Sequence, residues 1–119
     1  MLDSRTHKLL LDILFSAKRI ILLLANETLE SFSHENSLDI QDIVVRRLTI
    51  IGEAAASILR IQPDFCEIYP SINLRMAKGI RNILVHQYDG IDWDIVWETA
   101  NNDLPRLVAE IQMLGLTDK

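Results

Sequence analysis

Apolar residues in the first part of the chain recur at steps of three and four, the spacing of one face of an α-helix. The pattern predicts a long amphipathic helix from about Thr6 to about Phe32, followed by a loop over residues 33–37. The positions of its apolar face are Leu9, Leu10, Ile13, Leu14, Ala17, Ile20, Ile21 and Leu24. A second long helix follows, with Asp39 as its predicted N-cap, and its pattern fades before Pro63.

The third predicted helix follows a connector over residues 63–70 that has room for a short helical turn. It begins near Ser71 or Asn73 and ends around residues 88–90, where Gly90 supplies a stop signal. Its predicted core positions are Met76, Ile80, Ile83 and Leu84. Helical spacing of apolar residues therefore continues past the middle of the chain.

The last segment carries one more apolar stripe, and Asp92 is its predicted N-cap. The stripe consists of Trp93, Val96, Trp97, Ala100, Leu104, Leu107, Val108, Ile111 and Leu114. Pro105 interrupts it, because proline lacks a backbone donor and clashes with the preceding turn. We expect either a kink at that point or a new helix capped by Asn102 or Asp103.

Composition fixes the fold class. The chain has 119 residues, of which 49% are hydrophobic, and only 4 Gly, 3 Pro and 6% aromatics, so the turn residues and aromatics of an all-β sandwich are missing. Helices of this length joined by short loops pack antiparallel. We therefore predict an all-α, four- to five-helix up-and-down bundle, with residues 1–119 forming one domain around one core.

Charge and cysteine content restrict the cellular compartments and the partners that we expect for this protein. Cys66 is the single cysteine, which rules out an intrachain disulfide and fits a reducing compartment. No apolar run approaches the roughly 20 residues that cross a bilayer. We expect a cytoplasmic protein without a membrane partner. The net charge of −5 argues against broad attraction to nucleic acid but is silent on local patches.

Most catalytic patterns are absent from the sequence. There is no glycine-rich phosphate loop, no His-Glu-x-x-His pair and no recognisable nucleophile turn. The acidic residues Asp89, Asp92 and Asp94 surround Gly90 but lack the further oxygen ligands that calcium needs, so helix capping is the better interpretation. No metal site or cofactor is predicted.

The segment from Arg81 to Tyr88 concentrates polar groups that can handle a phosphate. At about 100° per residue, Arg81 and Tyr88 lie about 20° apart on a helix, whereas His86 is turned about 140° from Arg81. Arg81 and His86 can therefore share a phosphate only if the helix frays near His86 or a second copy of the chain completes the site. The alternative is structural: Arg81 pairs with an acid, His86 is a C-terminal helix cation and Tyr88 packs at the edge of the core.

The same stretch resembles the Arg-x4-His-x-Tyr signature of the HEPN superfamily, and the whole chain resembles HepT, the toxin of HepT/MntA toxin-antitoxin modules. Four blocks carry the resemblance in order: residues 47–54 (RLTIIGEA), residues 81–89 (RNILVHQYD), Ile91-Asp92 with Val96-Trp97, and Asp103-Leu104-Pro105. The chain departs from the family at Ser71, where a Trp usually follows Pro, and at Ile80, where a Met is usual. Both departures are interpreted as packing changes.

The resemblance implies a metal-independent ribonuclease that acts as a homodimer with the motifs of both subunits at a shared cleft. Arg81 would bind the phosphate, and His86 would exchange protons, since imidazole titrates near neutral pH. Asn82 is a supporting neutral donor, and Glu53 is a candidate to orient Arg81. RNA needs no added nucleophile because it carries a 2′-hydroxyl.

Two basic residues before Arg81 and the tyrosine of the motif have expected roles as well. Lys78 and Arg75 lie about one and two turns before Arg81, where they either guide the RNA backbone or form a solvated face. The resemblance also implies that Tyr88 is where a MntA-like nucleotidyltransferase antitoxin attaches AMP and silences the nuclease.

Two other hypotheses for the function stay open: a non-catalytic module that binds substrate for a nucleotidyltransferase, and a dimerisation domain that has lost activity.

Overall fold

The computed structural model of the chain describes residues 2–85 and 90–116. The first helix, α1, spans Ser4–Leu24, and the carboxylate of Asp3 caps it by accepting the Arg5 amide at 2.7 Å. The expectation that this helix continues to Phe32 is wrong. Helix α1 ends at Leu24 because Thr28 and Ser31 form a capping box that starts a separate helix, α2, at Leu29–Ser33.

The turn between α1 and α2 places Phe32 in the core. Its ring is fully buried and lies 5.3 Å from the ring of Trp93 and 5.8 Å from that of Trp97, measured between centroids. Aromatic pairs at these distances contribute about 0.5–1.5 kcal/mol beyond the apolar area that they bury. The short helix α2 therefore fixes the start of the last helical segment.

Helix α3 spans Leu38–Ile61 and follows a 3₁₀ turn at Glu35–Ser37. The predicted N-cap is displaced: Ser37 occupies that position without a side-chain bond, and Asp39 lies in the first turn, where its negative charge favours the helix N-terminus. The Arg47 guanidinium lies over the Phe15 ring at 5.2 Å, and the start of α1 lies beside Ser57. Helices α1 and α3 thus run antiparallel.

The connector and the third long helix agree with prediction. A short helix, α4, occupies Phe65–Ile68 within the connector, and α5 spans Leu74–Val85. Asn73 caps α5 by accepting the Met76 amide on its side-chain oxygen at 3.1 Å. The predicted end of this helix falls largely on residues 86–89, which lie outside the described residues. Gly90 has a φ of 109°, a conformation that favours glycine.

The last segment passes Pro105 by a route that the sequence did not predict. Asp92 caps α6, Trp93–Glu98, as expected. A π-helical turn at Thr99–Asp103 then leads into α7, Leu104–Gln112, without a break. Asp103 occupies the N-cap position of α7, one of the two predicted, but makes no side-chain capping bond, and Asn102 instead donates to Glu98 at 2.6 Å. The wider π turn lets the chain accommodate a proline that cannot donate a regular helical bond.

The helices pack around one apolar core, and the described residues contain no strand. Helix α3 is central: α1 packs along one side of it and α5 along another, while α7 packs on α1. The buried residues of α1 and α3 alternate at steps of three and four, as expected for facing helices. The predicted all-α bundle is confirmed. No helix in the described parts of the chain combines the length and apolar character that a membrane crossing requires.

Candidate active site

One side of α5 packs in the core and the other carries the predicted polar residues. Leu74, Ala77 and Ile80 are buried, which directs the rest of the helix outward. Arg75, Lys78, Arg81 and Asn82 are exposed and, with Gly79, line a cleft of about 490 Å³. The structure therefore brings together four of the side chains predicted from the sequence.

The start of α5 is anchored to the last helix. The Glu110 side chain on α7 accepts the backbone amide of Asn73 at 3.0 Å, next to the Asn73 cap described above. This bond and the cap together satisfy amides at the helix N-terminus that would otherwise lack partners. The first turn of α5, which carries Arg75, is thus tied to α7 as well as to α3.

Arg81 lies against α3 at a glycine. Gly52 is buried on α3, and a Cβ added there would overlap Cγ of Arg81 and lie 3.2 Å from both its Cδ and its backbone nitrogen. The missing side chain of Gly52 is therefore what lets α5 and the stem of Arg81 approach α3 so closely. The stem is held on one side while the exposed guanidinium remains available to solvent or an anion.

This role of Gly52 was not predicted from the sequence. A glycine inside a strongly helical pattern costs about 1 kcal/mol relative to alanine and commonly has a packing reason, which is the signal that could have found it. The contact itself could not be foreseen, because it depends on the register between α3 and α5.

Glu53, the candidate to orient Arg81, follows Gly52 on α3 and is exposed. Among the described residues, no hydrogen bond or ion pair joins Glu53 to Arg81. The two residues are thus close in the fold through Gly52, without a bond between their side chains. What the structure provides for Arg81 is packing of its stem rather than a carboxylate partner.

The cleft is locally positive although the chain carries a net charge of −5. Within residues 2–85 and 90–116, Arg75, Lys78 and Arg81 form no ion pair, and no acid lines the cleft. Cations without a carboxylate partner are open to an anionic ligand, and arginine can bind two phosphate oxygens at once. The alternative in which Arg81 pairs with an acid has no support in this part of the chain.

The remaining motif residues, His86 and Tyr88, lie outside the described residues, as does Asp89 of the acidic group. In the part that is described, no three His, Cys, Asp or Glu side chains are placed to share a metal ion. Asp92 serves as a helix cap through bonds to the amides of Asp94 and Ile95.

Comparisons with known proteins agree with these features. The family model described as "Ribonuclease HepT-like" matches residues 13–114. The protein "Putative RNase MJ1380" of Methanocaldococcus jannaschii is 35% identical over 105 residues, which cover 88% of this chain and 92% of that protein. "Probable ribonuclease HepT" of Thermococcus cleftensis is 33% identical over 97 residues, covering 76% of this chain and 86% of the relative.

No solved structure matches the chain significantly. The family match, however, spans most of the chain and includes both Gly52 on α3 and the polar face of α5. The chain belongs to the HepT-like ribonuclease family.

Proposed function

We propose that this protein is a metal-independent endoribonuclease, the toxin of a HepT/MntA-like toxin-antitoxin system, with Arg81 and His86 as its catalytic residues. The observation that carries the proposal is the Arg81 stem, packed on Gly52 at a cleft whose cations have no acidic partner among the described residues. Such a cleft favours a polyanion, and family membership makes RNA the first candidate.

The reaction needs only groups of this chain and of the RNA. The 2′-hydroxyl oxygen attacks the adjacent phosphorus, a new O2′–P bond forms, and the P–O5′ bond breaks. One proton leaves the 2′-hydroxyl and one is delivered to the departing 5′-oxygen, so the products are a 2′,3′-cyclic phosphate and a 5′-hydroxyl. His86 takes part in this proton transfer, and Arg81 stabilises the negative charge that builds up on the phosphate oxygens.

The supporting residues act on the same phosphate and its neighbours. Asn82 lies on the exposed side of α5 next to Arg81, where its amide can donate to a phosphate oxygen. Arg75 and Lys78 line the same cleft and bind the RNA backbone on one side of the cleaved bond. Glu53, which follows Gly52 on α3, makes no bond to Arg81 among the described residues and is given no direct contact with the phosphate in this proposal.

A second copy of the chain completes the site in this proposal. Because Arg81 and His86 would point about 140° apart if the helix were regular, one copy could place both on one phosphate only with distortion. A symmetric dimer with two α5 helices across a groove places Arg81 of one copy opposite His86 of the other. The proposed active form is therefore a homodimer.

Digestion of RNA in the presence of chelator tests the proposed reaction. We expect the purified wild-type protein to cleave single-stranded RNA with EDTA present at the same rate as without it, and to leave 2′,3′-cyclic phosphate ends detectable by mass spectrometry. The His86→Ala variant, purified in the same way, controls for contaminating nucleases and should be inactive. Cleavage that stops on chelation, or that persists in the variant, would contradict the proposal.

Tyr88 is the proposed site of control by the antitoxin. On a regular helix its position would be about 20° from that of Arg81, so an adenylate on its hydroxyl would add a phosphate charge beside Arg81 and obstruct the cleft. Incubation with a MntA-like nucleotidyltransferase and ATP is expected to add one AMP to Tyr88, with loss of RNA cleavage.

Mass spectrometry of the tryptic peptide that contains Tyr88 measures this modification directly. The Tyr88→Phe variant is the control and should remain unmodified and active in the presence of the partner. Inhibition of the Tyr88→Phe variant to the same extent as the wild type would show that the partner acts by covering the cleft instead. If the wild-type protein does not cleave RNA, and the nucleotidyltransferase binds it without transferring AMP, the result would favour the hypothesis of a non-catalytic binding module.

A further inference from the structure

A second concavity adjoins the cleft and was not predicted from the sequence. It has a volume of about 610 Å³ and lies where the connector, the start of α5 and α7 meet. Its lining residues are Cys66, Pro70, Ser71, Ile72, Asn73, Arg75, Arg106 and Glu110. Arg75 lines both cavities, so the two adjoin at this residue.

The second concavity adds a cation to the row on α5. Arg106 on α7 is exposed, and no ion pair joins it to Glu110, one turn later, among the described residues. Glu110 instead accepts the Asn73 amide at 3.0 Å, a bond that ties its carboxylate to the helix N-terminus. Arg106, Arg75, Lys78 and Arg81 therefore line the two adjoining cavities as a row of cations that form no ion pair among the described residues, with Glu110 as the acid of the second cavity.

We propose that this second concavity is a phosphate subsite for the RNA strand beyond the cleaved bond, with Arg106 as its distal contact. The subsite presupposes that the chain binds and cleaves RNA at Arg81. Arg75 and Arg81 are six residues apart, about 9 Å along the helix axis, and Arg106 lines the second concavity beside Arg75, so a strand held at Arg81 must extend past Arg75 to reach Arg106. No aromatic side chain among the described residues lines the subsite, which makes the contact one to the backbone and not to particular bases.

The test compares binding of long RNA by two proteins that cannot cleave it, His86→Ala and His86→Ala with Arg106→Ala. Each phosphate contact to a single strand contributes about 0.7 to the slope of log affinity against log salt. Loss of the Arg106 contact is therefore expected to reduce that slope by about 0.7 and to weaken binding about fivefold at 0.1 M salt. Arg19→Ala, which removes an exposed cation of α1 outside both cavities, is the matched control and should change neither value.

Substrate length provides a second readout in the otherwise wild-type enzyme. Arg106→Ala should raise KM for a long RNA with kcat unchanged, should leave cleavage of a dinucleotide unaffected, and should be rescued largely by Arg106→Lys. An unchanged salt slope, or an equal effect on the dinucleotide, would overturn the subsite while leaving the ribonuclease assignment in place. Wild-type protein that cleaves neither substrate would instead refute the proposed function, and the subsite with it.

Discussion

Replacing Arg81 by alanine is expected to slow RNA cleavage by about 10²–10³-fold, the usual effect of removing one donor from developing negative charge in a transition state. His86→Ala should cost a similar factor or more, because general acid–base catalysis contributes about 10²–10⁴-fold. Both expectations concern kcat, measured under saturating RNA with chelator present.

Several variants separate this effect from damage to the fold. Arg81 is exposed, so Arg81→Ala should keep the circular dichroism spectrum and nearly the same melting temperature. Arg81→Lys keeps the charge and most of the stem but not the two-point contact to phosphate, and should be intermediate. Arg19→Ala removes the same charge from α1 and should be fully active. Arg81→Ala with wild-type kcat would place the catalytic site elsewhere.

Gly52→Ala is expected to inactivate the enzyme although Gly52 itself takes no part in the reaction. The added Cβ would overlap Cγ of Arg81, and the Arg81 backbone nitrogen at 3.2 Å leaves little room for the stem to shift. Overpacking of this kind costs about 1–3 kcal/mol, partly offset by about 1 kcal/mol from the better helix propensity of alanine. We expect a small loss of stability by urea unfolding and a large loss of cleavage, because the guanidinium is displaced.

A glycine on the opposite helix supplies the matched control. Gly79 lies inside α5, and a Cβ there would meet no described atom within 4 Å. Gly79→Ala should therefore raise the free energy of unfolding by about 0.5–1 kcal/mol. A stabilising Gly79→Ala beside a destabilising Gly52→Ala would show that the effect at Gly52 comes from the contact and not from alanine itself.

A double-mutant cycle tests the contact itself. Once Arg81 is alanine, its Cγ is absent, so Gly52→Ala should cost less stability in that background than in the wild type. An equal cost in both backgrounds would mean that the Arg81 stem is not what Gly52 accommodates.

Much of this fold could be predicted from apolar spacing because its long helices each bury one regular face. Helix boundaries were predicted where a side chain caps the helix, at Asp92 and at Asn73, which was one of two predicted starts. They were missed where two weak signals compete. Apolar spacing predicted that α1 extends to about Phe32, whereas the helix ends at Leu24 and the Thr28 and Ser31 side chains start a new one.

The residues of α5 that line the cleft could be predicted from the sequence, but the residues that other helices contribute beside it could not. The sequence identifies Arg75, Lys78, Arg81 and Asn82 as neighbours because they share one helix, and the structure places them at one cleft. Gly52 and Arg106 belong to other helices, so their proximity to that cleft depends on packing between helices. Packing of that kind cannot be obtained from the spacing of residues within one segment.

Mixing two inactive variants tests the shared active site most directly. In a dimer whose sites each combine Arg81 of one subunit with His86 of the other, a heterodimer of Arg81→Ala and His86→Ala chains retains one intact site. Random reassociation of equal amounts should then restore about a quarter of wild-type activity, since half of the dimers are mixed and each has one working site of two. Heterodimers detected by native mass spectrometry that remain inactive would contradict a site built from two subunits.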